Sequence, residues 1–319
     1  MNLASLFLDT AERQSDTVAL RLFDTTFTYG AVAGLSARIA GLLVARGVRP
    51  GDRVGVMLPN IPPFAAIYYG VLRAGGVVVP MNPLLKAREV AYHLTDSGAR
   101  LLFAWDGAGS EAQEGASRAD GADVVTVSPE TFPELVGAQE PVTDVVDRAG
   151  DDTAVILYTS GTTGQPKGAE LTHANLTRNV EVAQSDLLQL STDDIIFGGL
   201  PMFHSFGQTC ALNAAMANGA SVLLLPRFDA AAAADLLAKH HVTVFAGVPT
   251  MYAALLGLDD GPASPRPPPS RRSTGPATGA RRGRSARRSP ASRCRWSTAT
   301  AARSPPARWA RSRSAATTS

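Results

Sequence analysis

The chain of 319 residues is 45% hydrophobic, 18% charged and 6% aromatic, the balance of an ordinary globular protein with material for a large core. No apolar run approaches the roughly 18 residues of a membrane helix, "MNLASLFLDTAER" has no basic stretch before Asp9, and Cys210 and Cys294 provide no disulfide framework. These features argue against a membrane span, a secretory leader and a disulfide scaffold, and a reducing cytoplasm is the expected compartment.

Along the chain, helical and extended periods alternate. "TYGAVAGLSARIAGLLVARGV" sets Val32, Leu35, Ile39, Leu42 and Leu43 at helical spacing, with Gly47 as a stop. "RVGVMLPN" reads as a short buried strand, and "IPPFAAIYYGVLRAGG" as a helix opened by prolines and closed by Gly75 and Gly76. "VVVPMN", "LKAREVAYHLTDSG" and "RLLFAW" give strand, helix and strand. Residues 106–150 are turn-rich and acidic, with one strand at "ADVVTVS". "TAVILYTS", "ASVLLLP" and "VTVFAGV" are further strands, the last two separated by the helix "AAAADLLAKHH". This alternation predicts an α/β fold of layered, mostly parallel sheets, with ligands beyond the carboxyl ends of the strands.

The net charge of +2 averages two unlike segments. Residues 1–260 carry 16 Lys and Arg against 28 Asp and Glu, a balance of −12. Residues 261–319 carry 14 Arg with no Lys and no acid, a balance of +14, and contain no Val, Ile, Leu, Met, Phe or Tyr. Such a segment cannot bury enough apolar surface to offset the entropy of ordering its backbone. The expected organisation is therefore a domain over 1–258 and a disordered Arg/Pro/Ser/Ala-rich tail over 259–319.

Within the body, "YTSGTTGQPKGAELTHANL" (residues 158–176) packs glycines, hydroxyls and a lysine between a strand and an apparent helix. Gly161 and Gly164 let main-chain N–H groups approach a ligand, Thr159, Ser160, Thr162 and Thr163 add hydroxyls, and Lys167 adds a compact positive charge. Together these are the parts of a polyphosphate cradle. A plain Gly/Thr surface turn is the bland alternative. A Walker A loop is excluded, because Pro166 stands where it needs Gly and Gly168 where it needs Ser or Thr.

"YTSGTTGQPKG" resembles the phosphate loop of the adenylate-forming superfamily, which includes acyl-CoA synthetases, luciferase-like enzymes and peptide-synthetase adenylation domains. "AGGVVVPMNPLLKAREVAYHLTDSGARLLF", "LPMFHSFG" and "VFAGVPTMYAALL" are similar to further segments of its acyl-CoA ligase branch, in the family's order. The resemblance implies activation of a carboxylic acid, most readily a fatty acid, by ATP and Mg²⁺ to an acyl-adenylate, followed by transfer to coenzyme A. It implies that Thr159, Ser160, Gly161, Thr162, Thr163, Gly164 and Lys167 bind the ATP phosphates, with Thr159 also offering an oxygen to Mg²⁺. It further implies an acyl pocket bordered by His204, Phe206, Gln208, Gly247 and Pro249, with Phe203 and Met251 near it. Gln208 falls where some fatty-acyl ligases carry an aromatic gate, which leaves the chain length of the acid open. His93, His240 and His241 read as structural or surface residues, and Cys210 as a small buried residue.

Relatives continue with a Y-G-x-[ST]-E motif for adenine and Mg²⁺, an aspartate for the ribose and a late catalytic lysine. The tail has no Tyr, no acid and no Lys, so no catalytic residue is assigned here and the printed chain is expected to be inactive. Two accounts of the tail compete: a basic arm for nucleic acid or an anionic membrane, and a frameshift. Read one base upstream, "ASRCRWSTATA" (residues 291–301) admits R-F-x-V-P-V-V-D-G-Y-G, and "ARS" after it admits x-[ST]-E, which favours the frameshift. A sheet cut after "VTVFAGV" is then expected to leave its edges unpaired. A small carboxylate is the expected partner and nucleic acid is not. A non-catalytic nucleotide-binding protein, or a nucleic-acid-binding protein acting through its arginines, are the alternatives from other classes.

Overall fold

The structure is a computed structural model that describes residues 1–119, 121–159 and 165–258, with the backbone of residues 295–297 and 308–309. The chain opens with helix α1 (Ala4–Arg13), whose Ala4, Phe7, Thr10 and Ala11 form a buried stripe. A hairpin of β1 (Val18–Leu22) and β2 (Thr25–Thr28) follows. Helix α2 (Tyr29–Ala45) is capped by the Thr28 hydroxyl, which accepts from the Ala31 N–H, and stops at Gly47 with φ +76°. Then come β3 (Arg53–Met57), α3 (Pro62–Arg73) with prolines in its first turn, β4 (Val77–Pro80), α4 (Ala87–Ser97), β5 (Leu101–Trp105), α5 (Glu111–Arg118), β6 (Asp123–Val127) and α6 (Thr131–Gly137). The second half holds β7 (Thr153–Thr159), β8 (Lys167–Thr172), α7 (His173–Val182), β9 (Ile195–Gly198), a π-helical segment (Gly207–Asn213), α8 (Ala214–Asn218), β10 (Ser221–Leu224), α9 (Ala230–Lys239), β11 (Val244–Ala246) and α10 (Pro249–Leu256).

The strands form two sheets. Among the described residues one has the order β13-β8-β7-β4-β3-β5-β6, and the other β12-β11-β9-β10-β1-β2, where β12 is Arg295–Ser297 and β13 is Arg308–Trp309. Strands β3 to β7 pair in parallel, as do β1 with β10, β10 with β9 and β9 with β11. Helices α1, α2 and α3 lie between the sheets in one continuous core that includes Phe7, Tyr29, Ile39, Phe64, Tyr68 and Tyr69. A second cluster packs α4 and α5 on the far face of the seven-stranded sheet, and a third packs α9 and α10 on the far face of the other. The predicted layered α/β class holds.

Three expectations need correction. Residues 106–150 contain two helices besides the predicted strand. Both are short, α5 turns only Ala112, Gly115 and Ala116 inward, and α6 carries Pro133 in its first turn, so neither presents a bulky apolar stripe. The glycine-rich loop leads not into a helix but into β8, antiparallel to β7, with the helix delayed to His173. The edges of β11 and β8 are also not bare: Val244–Ala246 pair in parallel with Arg295–Ser297, and Glu170 and Ala169 pair with Arg308 and Trp309. A strand edge presents unpaired N–H and C=O groups that accept any extended backbone, so a segment without aliphatic side chains still pairs there. The rest of the tail lies outside the described residues.

Candidate functional site

Both sheets turn the carboxyl ends of their parallel strands towards one cavity of about 1090 Å³. Pro59, Asn60 and Ile61 follow β3, Asn82, Pro83 and Leu84 follow β4, and Trp105 ends β5. From the other sheet, Gly199, Leu200 and Pro201 follow β9, Pro226, Arg227 and Phe228 follow β10, and Val248, Thr250 and Met251 follow β11. Most of the wall is apolar, and among the described residues that line it Arg227 is the one permanently charged side chain. A second cavity, of about 490 Å³, lies beside the amino ends of β3, β4 and β7 among Arg53, Asp96, Arg148, Asp152 and Glu170. That is the wrong end of a parallel sheet for a ligand site, and among the described residues it holds none of the predicted site residues.

The predicted pocket residues divide. His204 and Phe206 line the larger cavity together with Phe203, Gly207 and Met251. Gly207 is obligatory, because a Cβ there would come 2.2 Å from the Pro201 carbonyl oxygen. Gly247 is buried and Pro249 opens α10, and the two flank the lining residue Val248. Gln208 is fully buried and is the second residue of the π-helical segment. Sequence reading missed Asn60, which joins the two sheets at the cavity wall. Its amide donates to the Gly198 and Leu200 carbonyls at 2.9 and 2.7 Å and accepts from the Met202 N–H at 2.8 Å.

Of the predicted phosphate-loop residues, Ser160, Gly161, Thr162, Thr163 and Gly164 lie outside the described residues. Thr159 and Lys167 are exposed and face each other across the last paired position of the β7–β8 hairpin. Helix α4 grips both stems of that hairpin. Tyr158 donates its hydroxyl proton to Asp96 at 2.7 Å, and its ring stacks on His93 with centroids 4.0 Å apart. Tyr92 donates to the Pro166 carbonyl at 2.8 Å. Burial first, then Asp96, raises the Tyr158 hydroxyl far above its usual range, which keeps it a proton donor. His93 is held neutral by burial, with its pKa lowered to about 4. His173, overlooked in the sequence, is likewise lowered to about 4 by burial and accepts from the Leu3 N–H at 2.9 Å. His241 is exposed, and Cys210 is raised to about 11 by burial, which leaves a thiol of little nucleophilicity.

Among the described residues no group of three or more His, Cys, Asp or Glu side chains could hold a metal ion, and no helix is long and apolar enough to cross a membrane.

This arrangement is shared with known proteins. The chain is 30% identical over 287 residues to a long-chain-fatty-acid–CoA ligase of Bacillus subtilis, covering 80% of this chain and 51% of that one. It is 34% identical over 247 residues to a feruloyl-CoA synthase of an Amycolatopsis species, covering 77% and 48%. A crystal structure of a benzoate CoA ligase from Burkholderia xenovorans superposes with a TM-score of 0.76 at 29% identity, over 82% of this chain and 53% of that one. The N-terminal domain of FACL13 from Mycobacterium tuberculosis gives 0.75 at 27%, over 81% and 65%. The chain thus spans about half the length of the curated relatives it matches. Its two sheets are those of the N-terminal part of adenylate-forming enzymes, and with the model of the AMP-binding enzyme family matched over residues 7–317, the chain belongs to that family.

Proposed function

We propose that the chain derives from an enzyme that activates a carboxylic acid with ATP and passes the acyl group to the thiol of coenzyme A. The observation that carries this reading is a large apolar cavity at the carboxyl ends of both sheets, with His204 in its wall and Arg227 as the only fixed charge among its described lining residues. In the first step a carboxylate oxygen bonds to the α-phosphorus of ATP and pyrophosphate leaves. In the second, a thiolate sulfur bonds to the acyl carbon and AMP leaves. The β7–β8 hairpin would hold the departing phosphates through Lys167 and the hydroxyls and N–H groups of residues 159–164, donors that would stabilise the negative charge that accumulates there. Mg²⁺ would neutralise part of that charge. Thr159 would offer it one oxygen, with a glutamate of the later motif as the second protein ligand and waters and phosphates as the remainder. The acid is proposed to be a fatty acid, accommodated by the apolar wall, and the protein to be cytoplasmic.

The printed chain carries no counterpart of the later motifs, so we propose that its activity is lost through a frameshift near codon 260. The sequence supports this reading, because residues 295–297 overlie P-V-V in the upstream frame, immediately before the shadow D-G-Y-G. Sequencing the DNA downstream of the Leu258 codon is the test. An insertion or deletion there, followed by an open frame through the motif to an aspartate and a late lysine, is expected. The repaired protein should form acyl-CoA thioesters with ATP, while the printed chain releases no acid-dependent pyrophosphate. Stop codons in the alternate frame before the motif would end the frameshift account.

A further inference from the structure

Helix α10 is packed on one side only. Met251 is buried, the Tyr252 ring stands edge-on to Phe245 with centroids 5.2 Å apart, and Leu255 packs against the same cluster. The opposite side is bare. Leu256 is 86% exposed, Leu258 39% and Val248 37%, with Ala253 and Ala254 exposed between them. The helical turn continues through Leu258, whose N–H reaches the Leu255 carbonyl. From Val242 to Leu258 the sequence contains no charged residue. The neighbouring helix α9, by contrast, presents Asp235 and Lys239 to water, as a surface helix ordinarily does. An exposed apolar stretch without charge marks a contact surface.

The sequence narrows what covers it. The chain continues into residues 261–319, which hold 14 Arg and no Val, Ile, Leu, Met, Phe or Tyr. Laying that segment on α10 would bring guanidinium groups to a face with no carboxylate to receive them, at a desolvation cost. The face is instead complementary to itself. Two copies of α10 crossing antiparallel at Ala253 set Leu258 of each copy against Val248 of the other, and Leu256 against Thr250, because these pairs are equally spaced from Ala253 in sequence. The small side chains at Ala253 and Ala254 let the two axes approach to the short end of the roughly 8–10 Å range for packed helices. No like charges meet across such a contact, and its two-fold symmetry closes it at two copies.

We propose that α10 is a self-association surface, through which a second copy of this chain covers the apolar face at Val248, Ala253, Leu256 and Leu258. Val248 and Thr250 also line the large cavity, so the second copy would lie against one wall of it. Two helices this short fall below the roughly 1,200–2,000 Å² of a standard interface. The dimer is therefore weak and reversible, and its population rises with protein concentration.

The test is sedimentation velocity of the full chain over a wide range of concentration. Dimer should form reversibly, and Leu256→Asp should weaken it by about tenfold or more, since each dimer loses two buried leucines. Phe23→Asp removes an apolar residue that is also exposed, on the β1–β2 hairpin, and should leave association unchanged. High salt should not dissociate the dimer, because an apolar contact is not screened, whereas a contact between the arginines and the acidic body would be. A second measurement fixes the register. In a Cys294→Ser background, Ala253→Cys should give a disulfide-linked dimer under mild oxidation, and Asp235→Cys on α9 should not. Monomer at every concentration, a dimer indifferent to Leu256→Asp, a dimer lost in high salt, or equal cross-linking at both positions would each overturn the inference.

Discussion

Asn60 does at one residue what the sheets do not do for each other. Its three hydrogen bonds join the end of β3 to the loop after β9, and all three partners are backbone groups buried away from water. Asn60→Leu, of similar size, would strand two carbonyls and one N–H. Urea denaturation should show a loss of about 3 kcal/mol or more, far above the cost of a surface change. The sequence offered no warning of this, since "LPNIPP" reads as a strand running into a turn, and the partners lie 138 to 142 residues away. The two buried histidines set a pH limit. Both have a folded pKa near 4 against a free value of 6.5, so as pH falls the unfolded chain takes up the proton first. Their contribution is therefore complete above about pH 6.5 and is lost as pH falls towards 4, by at most on the order of 3 kcal/mol for each. Denaturation midpoints measured from pH 7.5 to 4.5 should fall across this window, and less steeply in His93→Asn.

At the scale of elements, α4 and the β7–β8 hairpin form one unit. Tyr92 and Tyr158 are anchored to or from the same helix, so the positions of Thr159 and Lys167 follow from where α4 lies. Asp96→Asn and Tyr92→Phe each weaken one such anchor, worth about 0.5–1.5 kcal/mol. If the hairpin holds nucleotide, calorimetry should show a several-fold loss of Mg-ATP affinity in each variant, with unfolding little changed. Unchanged affinity in both would confine α4 to a packing role. Long elements with a clear period, such as α2, α3 and the apolar strand β7, were legible in the sequence because burial on one face writes that period. Hidden elements were the short ones. The four-residue β9 and the hairpin β1–β2 depend on strands distant in the chain, and the π-helical bore at Gly207–Asn213 is a matter of hydrogen-bond register that no side-chain pattern encodes. The site was legible as motifs, "TSGTTGQPKG" and "FHSFG", but not as a cavity, because its walls come from the ends of strands in two sheets.

For the whole molecule, the tail is the element on which stability and history meet. Arg295–Ser297 and Arg308–Trp309 cover one edge of each sheet, so removing residues 259–319 should leave two bare edges. Light scattering of the shortened chain should rise faster with concentration than that of the full chain; equal scattering would mean that these strands contribute nothing. Hydrogen exchange should find slowed amides at these five residues. The order of the strands also has a temporal side. The seven-stranded sheet draws β3 to β8 from one uninterrupted stretch, residues 53–172, whereas β1 must wait for β10, and the Ser221 hydroxyl reaches back 203 residues to the Val18 carbonyl. Closing so long a loop is slow, and domains emerge from the ribosome N-terminal end first. The N-terminal hairpin is therefore born without its neighbours, and while synthesis proceeds a protease should cut at β1–β2 long after strands β3, β4 and β5 have become resistant.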